Sequence, residues 1–155
     1  MVNFVTNNRG AVADEEPYPL AEFLPYLLNR AAEETSLGFQ ALYRERYGML
    51  RTEWRVLFHL GGCGDLTARE ICDRARLHKT KVSRAVAALE AKRMLVRTVS
   101  VEDRRREILS LTGRGRAAYR DLSGAARRYD EALAGRFDAA EERVLRRCLK
   151  RLAGL

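Results

Sequence analysis

Between Leu66 and Thr112 the chain changes its hydrophobic period from helical to alternating, and few architectures accept the order that results. Thr67 stands three residues before Glu70. That is the spacing of a capping box, in which each side chain accepts from the other's backbone amide, and it predicts a short helix over 66–75. After Arg76-Leu77-His78, the stretch 79–91 places Val82, Val86 and Leu89 within a narrow arc at about 100° per residue, a face that must be buried. The opposite side of the same wheel carries Thr80, Ser83, Arg84 and Ala87, with Lys81 at its flank. Such a face is short, polar and basic, and it can enter a groove. Residues 96–101 and 107–112 are then rich in β-branched side chains and read as two strands joined by Glu102-Asp103-Arg104-Arg105-Arg106, a hairpin with a charged tip.

The flanks are helical. From Leu20 to about Tyr47 apolar residues recur at helical spacing, with Pro25 opening or kinking the helix and Gly38 a weak point in it. Trp54, Leu57 and Phe58 mark a second helix over 51–60, which the run Gly61-Gly62-Cys63-Gly64 is expected to end. Thr112 is a plausible cap for a long helix through Tyr119, Leu122, Ala126, Tyr129, Leu133 and Phe137. Asp138 caps a last one striped by Val144, Leu145, Cys148, Leu149 and Leu152. The expected fold is mainly α, a winged helix-turn-helix with a two-stranded β wing embedded in a helical scaffold.

Charge singles out the same central region. Residues 74–116 hold thirteen Lys and Arg against four acids, whereas the remainder of this 155-residue chain of net charge +8 is balanced to within one charge. A basic module on a neutral scaffold is the asymmetry of a duplex-binding surface. Other classes fare worse. No apolar run approaches a membrane span, and 1–16 lack the pattern of a secretion signal, so the cytoplasm is the expected compartment. The three cysteines, Cys63, Cys72 and Cys148, form no CxxC pair, and neither a disulfide framework nor a metal or cofactor is expected. Two histidines and no phosphate loop, HxxxH pair or Ser elbow argue against an enzyme. The basic last helix has a Val, Leu and Cys face suited to a partner helix rather than to a lipid surface.

Three segments, RTEWRVLFHL (51–60), LTAREICDRARLHKTKVSRAVAALEAKRMLVR (66–97) and VEDRRREILSLTGRG (101–115), resemble the MarR family of bacterial winged-helix transcription regulators. The last looks like the family's wing followed by its Leu-Thr-x-x-Gly helix start. The resemblance implies a homodimer whose terminal helices interlock, a pseudo-palindromic operator, and repression lifted by a small ligand or an oxidant. On that reading 1–18 is a flexible arm, 51–112 the DNA-binding lobe, and 19–50 with 113–155 the dimerisation region. Two positions depart from the pattern. Arg93 stands where the family usually has Gly after the recognition helix, so that helix end is expected to take another conformation. His78 replaces the usual Ser or Asp cap.

The candidate base contacts are Thr80, Lys81, Ser83 and Arg84, with Lys79 placed for phosphate at the positive end of the helix dipole. Arg104, Arg105 and Arg106 at the hairpin tip are placed for the neighbouring minor groove, with Asp103 holding Arg105 by a salt bridge. Tyr26, Phe39, Tyr43, Trp54 and Phe58 are candidates for an effector cleft, with Arg30, Arg46, Arg55 and His59 as anion anchors for an aromatic or carboxylate ligand. Cys72 and Cys148 read as buried, and Cys63 as an accessible thiol in a loop. The alternatives are a redox-sensing regulator of the same fold using Cys63, and a non-specific architectural DNA-binding protein.

Overall fold

The structure, a computed structural model, describes residues 17–99 and 107–155. Most of the expected N-terminal arm and the hairpin tip, with Asp103, Arg104, Arg105 and Arg106, therefore lie outside the described residues. In chain order the elements are a 3-10 turn at Leu20–Glu22, α1 (Leu24–Tyr47), α2 (Arg51–Cys63), α3 (Ala68–Ala75), α4 (Lys79–Ala91), β1 (Leu95–Val99), β2 (Glu107–Leu111), α5 (Gly113–Ala134) and α6 (Ala139–Ala153). This is a mainly helical winged helix-turn-helix with a two-stranded antiparallel wing, as the sequence predicts.

The chain divides into two units, Met1–Glu34 and Thr35–Leu155. In the first, the Tyr18 hydroxyl donates to the Glu22 carbonyl at 3.1 Å, and its ring meets Phe23 edge-on. Pro25 is the second residue of α1, where its missing N–H forfeits no helical bond, so it opens the helix and does not kink it. Leu24, Leu27 and Leu28 are exposed.

The core of the second unit is built on α4. Its Val82, Val86 and Leu89 are fully buried against Val56, Leu57 and Leu60 of α2 and Ile71 of α3, so the arc read from the sequence is the packed face. The α3 capping box forms: Thr67 Oγ1 accepts from the Glu70 amide at 3.2 Å, and Glu70 accepts from the Thr67 amide at 2.7 Å. The wing pairs Leu95 with Leu111 and Val99 with Glu107. Leu66 adds a bridge to Leu109, with bonds of 2.8 and 3.2 Å that tie the segment before α3 to β2.

The end of α4 departs from expectation. Arg93 keeps the left-handed turn, at φ 58°, although a side chain there costs about 1 kcal/mol. Two backbone bonds hold it: Met94 N–H to Leu89 O at 2.9 Å and Arg93 N–H to Glu90 O at 2.8 Å, with Met94 and Leu89 both buried. That is a Schellman closure, in which the apolar contact holds the turn whatever residue occupies its left-handed position.

The run ends α2 at its last glycine only: the helix continues through Gly61 and Gly62 to Cys63 and stops at Gly64, φ 84°. Gly61 serves packing: a Cβ there would lie 2.3 Å from the Tyr119 ring of α5. Cys63 is thus a helix terminus, not a loop residue. Similarly α5 ends at Ala134, because the amides of Gly135 and Arg136 close back on Glu131 and Leu133. Phe137 therefore falls between the helices. Cys148, expected to be buried, is exposed, because α6 has no buried residue.

Candidate nucleic-acid interface and adjoining cleft

The turn Arg76-Leu77-His78 aims α4. Arg76 is left-handed at φ 48°, and the His78 imidazole substitutes for the usual hydroxyl or carboxylate cap, its Nδ1 accepting from the Thr80 amide at 3.3 Å. Acceptance requires a lone pair on Nδ1, so the capping tautomer carries its proton on Nε2. With no acid in the first turn, the positive end of the helix dipole is left uncompensated beside Lys79 and Lys81. Lys79, Thr80, Lys81, Ser83 and Arg84 are all exposed on the side away from the core. Among the described residues none of the three cations pairs with a carboxylate.

Three ion pairs outside the reach of local sequence spacing fix this helix and tie it to the wing. Lys92, just past its end, donates to the buried carboxylate of Glu53 on α2 at 2.5 Å. Arg97 of β1 donates to Glu90 of α4 at 3.0 Å and to Glu107 of β2 at 3.3 Å, which joins helix and wing through one guanidinium. The two carboxylates hold the Arg97 pKa above the ordinary guanidinium range against the opposing effect of its burial.

A cleft of about 440 Å³ opens on the other face of α2. Phe39, Tyr43, Trp54 and Phe58 line it, together with Tyr129 and Leu133 of α5. Trp54 stacks on Tyr43 at 6.0 Å and meets Phe39 and Phe58 at 5.3 and 5.1 Å. Gly38 makes room for Tyr129, whose hydroxyl sits 2.5 Å from where a Cβ would be and donates to the Thr35 carbonyl at 2.7 Å. Arg51 and Arg55 supply positive charge. The acid lining the cleft, Asp130, is already gripped by Arg146 at 2.8 and 3.3 Å.

Residues 47–106 match the sequence model of the MarR family. The described fold agrees over nearly the whole chain. A MarR/EmrR family transcriptional regulator from Acinetobacter sp. ADP1 superposes with TM-score 0.78 at 28% identity, over 88% of this chain and 96% of that one. The fold is the winged-helix fold of the MarR family. BpsR of Bordetella bronchiseptica, whose DNA binding is regulated by 6-hydroxynicotinic acid, shares the fold at TM-score 0.80 and 22% identity, over 90% of this chain and 99% of that one. So does PcaV of Streptomyces coelicolor, solved in complex with its natural ligand, at TM-score 0.75 and 21% identity, over 90% and 98% of the two chains. No curated protein matches the chain in sequence. The MarR family is one of transcriptional regulators that bind DNA, not of enzymes.

In this chain the expected anion anchors separate into groups. Arg46 is withdrawn: it holds Asp121 through two bonds of 2.9 and 3.0 Å, reinforced by the Tyr47 hydroxyl at 3.0 Å. Tyr26 and Arg30 belong to the first unit, where Arg30 pairs with Glu34 at 3.5 Å. Within the second unit His59 does not line the cleft; burial, then the charges of Arg55 and Arg74, push its pKa below the ordinary imidazole value. Arg55 remains, and Arg51, which sequence reasoning passed over, joins it. Arg74 Nη1 lies 3.6 Å from the exposed Cys63 Sγ. Among the described residues no group of His, Cys, Asp and Glu could hold a metal, and no helix is long and apolar enough to cross a membrane.

Proposed function

We propose that the protein is a homodimeric repressor that reads a pseudo-palindromic operator through α4 and leaves it when an aromatic carboxylate occupies the cleft. The observation that carries the DNA-binding reading is the outer face of α4, with its exposed Lys79, Thr80, Lys81, Ser83 and Arg84 opposite a fully buried apolar face. Lys79 contacts phosphate, and Arg84 supplies the paired donors that suit guanine. Arg104, Arg105 and Arg106 extend the contact into the flanking minor groove. The ligand class follows from five aromatic rings beside two guanidinium groups, with Asp130 committed to Arg146. The regulation of BpsR by 6-hydroxynicotinic acid and the natural-ligand complex of PcaV support a small-molecule effector. The exposed stripe of α6 supports the dimer.

Selection from a randomised duplex pool at two salt concentrations tests this reading. The expected outcome is an enriched inverted repeat with half-sites about one helical turn apart. On that duplex Arg84→Ala costs about 1 to 3 kcal/mol and relaxes preference at one base position. Uniform weakening on every sequence would make Arg84 a phosphate contact. Salt-sensitive binding without a motif would make the protein architectural.

A further inference from the structure

Arg55 belongs to two places at once. Its guanidinium lines the cleft beside Arg51, Trp54 and Phe58, and the same group donates from Nη2 to the carbonyl of Ala75, the last residue of α3. Ala75 is buried, so that carbonyl has little access to water. Immediately after it come the left-handed Arg76, then Leu77, whose amide returns to Cys72 O at 3.1 Å, then the cap His78. Arg55 thus grips the chain three residues before the cap that orients the DNA-facing helix.

The charge on that guanidinium is poorly compensated. Among the described residues no carboxylate lies within ion-pairing distance of Arg55, and Asp130, the acid of the cleft, is held by Arg146. Burial and the neighbouring charge of Arg51 both depress its pKa, which means that this site disfavours the cation and would gain from an anion. A carboxylate is the better acceptor, because a charge-assisted, two-pronged bond to guanidinium is stronger than one to a neutral carbonyl.

We propose that Arg55 is the positioning residue that couples the cleft to α4: it caps α3 at Ala75 until a carboxylate in the cleft draws the guanidinium away and frees the α3–α4 turn. The coupling rests on the ligand reading above and deepens it. Its size is set by the difference in ligand affinity between the two arrangements, and a ligand with equal affinity for both would shift nothing. Among the described residues Arg51 makes no hydrogen bond to α3, and it would attract the same ligand without transmitting its arrival.

The test uses the full chain, sodium benzoate as probe, and three readouts. Trp54 is the single tryptophan, so selectively excited tryptophan fluorescence reports the cleft. Amide resonances of Arg76, Leu77 and His78 report the turn, and affinity for the selected duplex reports function. In the wild type all three are expected to respond with one apparent Kd, the duplex affinity falling by about tenfold. In Arg55→Gln, whose amide can still donate to Ala75 O, Trp54 is expected to respond while the turn resonances stay and the loss of duplex affinity shrinks to under about twofold. Should that variant not fold, Arg55→Lys, which loses the two-pronged geometry, is expected to show the same uncoupling in weaker form. Turn and duplex responses that persist unchanged in the variant, or a wild-type Trp54 response without movement of the turn, would overturn the role of Arg55 and leave the cleft as a ligand site. A silent Trp54 in the wild type would overturn the ligand reading and this proposal together.

Discussion

Thr112 and Gly115 show how much one short motif can carry. The Thr112 hydroxyl accepts from the Gly115 amide at 3.0 Å and donates to the Arg93 carbonyl at 2.8 Å, so one side chain caps α5 and pins the left-handed turn that ends α4. Gly115 has a steric reason: a Cβ there would lie 1.9 Å from the Met94 carbonyl oxygen. Gly115→Ala is therefore expected to destabilise by about 3 kcal/mol, read as a lower urea midpoint, because backbone cannot yield as a side chain can. Arg93→Gly is expected to be mild, within about 1 kcal/mol and stabilising, since relief of the left-handed cost is partly offset by a freer unfolded chain. Equal stability of Gly115→Ala and the wild type would show that the β1 start can shift away from α5, and the motif would then be a cap alone.

The elements differ in how far the sequence announces them. α3 and α4 are bounded by residues within a few positions of their own ends, Thr67 with Glu70 and His78 with Thr80, so a local reading places them correctly. α2 runs past its expected stop because a glycine that ends a helix and a glycine that admits a neighbouring ring look alike, and Tyr119 is remote in sequence. The cleft has the same limit. Phe39, Trp54 and Phe58 stand out as aromatics at helical spacing, but Arg51, Tyr129 and Leu133 join them only through the packing of α2 and α5. His59 gives α2 a pH dependence with a definite sign. Its folded pKa is depressed, so the unfolded chain binds the proton more readily, and the associated stability is present above about pH 6.5 and lost as pH falls below it. His59→Gln should flatten the drop in denaturation midpoint between about pH 7.5 and about pH 5.5. An unchanged slope would assign the acid sensitivity to other groups.

At the scale of the molecule the uncovered surface is the decisive feature. Val144, Leu145, Leu149 and Leu152 form one stripe of α6 and are all exposed, and none of the helix is buried within its own chain. The well-formed capping box at Asp138, whose carboxylate accepts from Ala140 and Glu141 at 2.7 and 2.9 Å, shows that the helix is locally specified. Among the described residues its apolar face nevertheless has no tertiary partner, and exposed stripes of this kind mark contact surfaces. Leu24, Leu27 and Leu28 of α1 are similarly exposed. Sequence periodicity reveals that these stripes must be covered but not by what, which is why Cys148 reads as buried in the chain and lies exposed in the single protomer. A second copy is the simplest cover, and the inverted-repeat reading needs one, since each protomer carries one α4. Leu149→Glu places a carboxylate in the stripe without disturbing the core around α4. Light scattering is expected to shift from twice the chain mass to the chain mass, with half-site contacts by α4 retained and affinity for the full inverted repeat lost. A Leu149→Glu protein that stays dimeric and holds the full repeat would move the dimer contact away from α6, leaving its apolar face for a different partner.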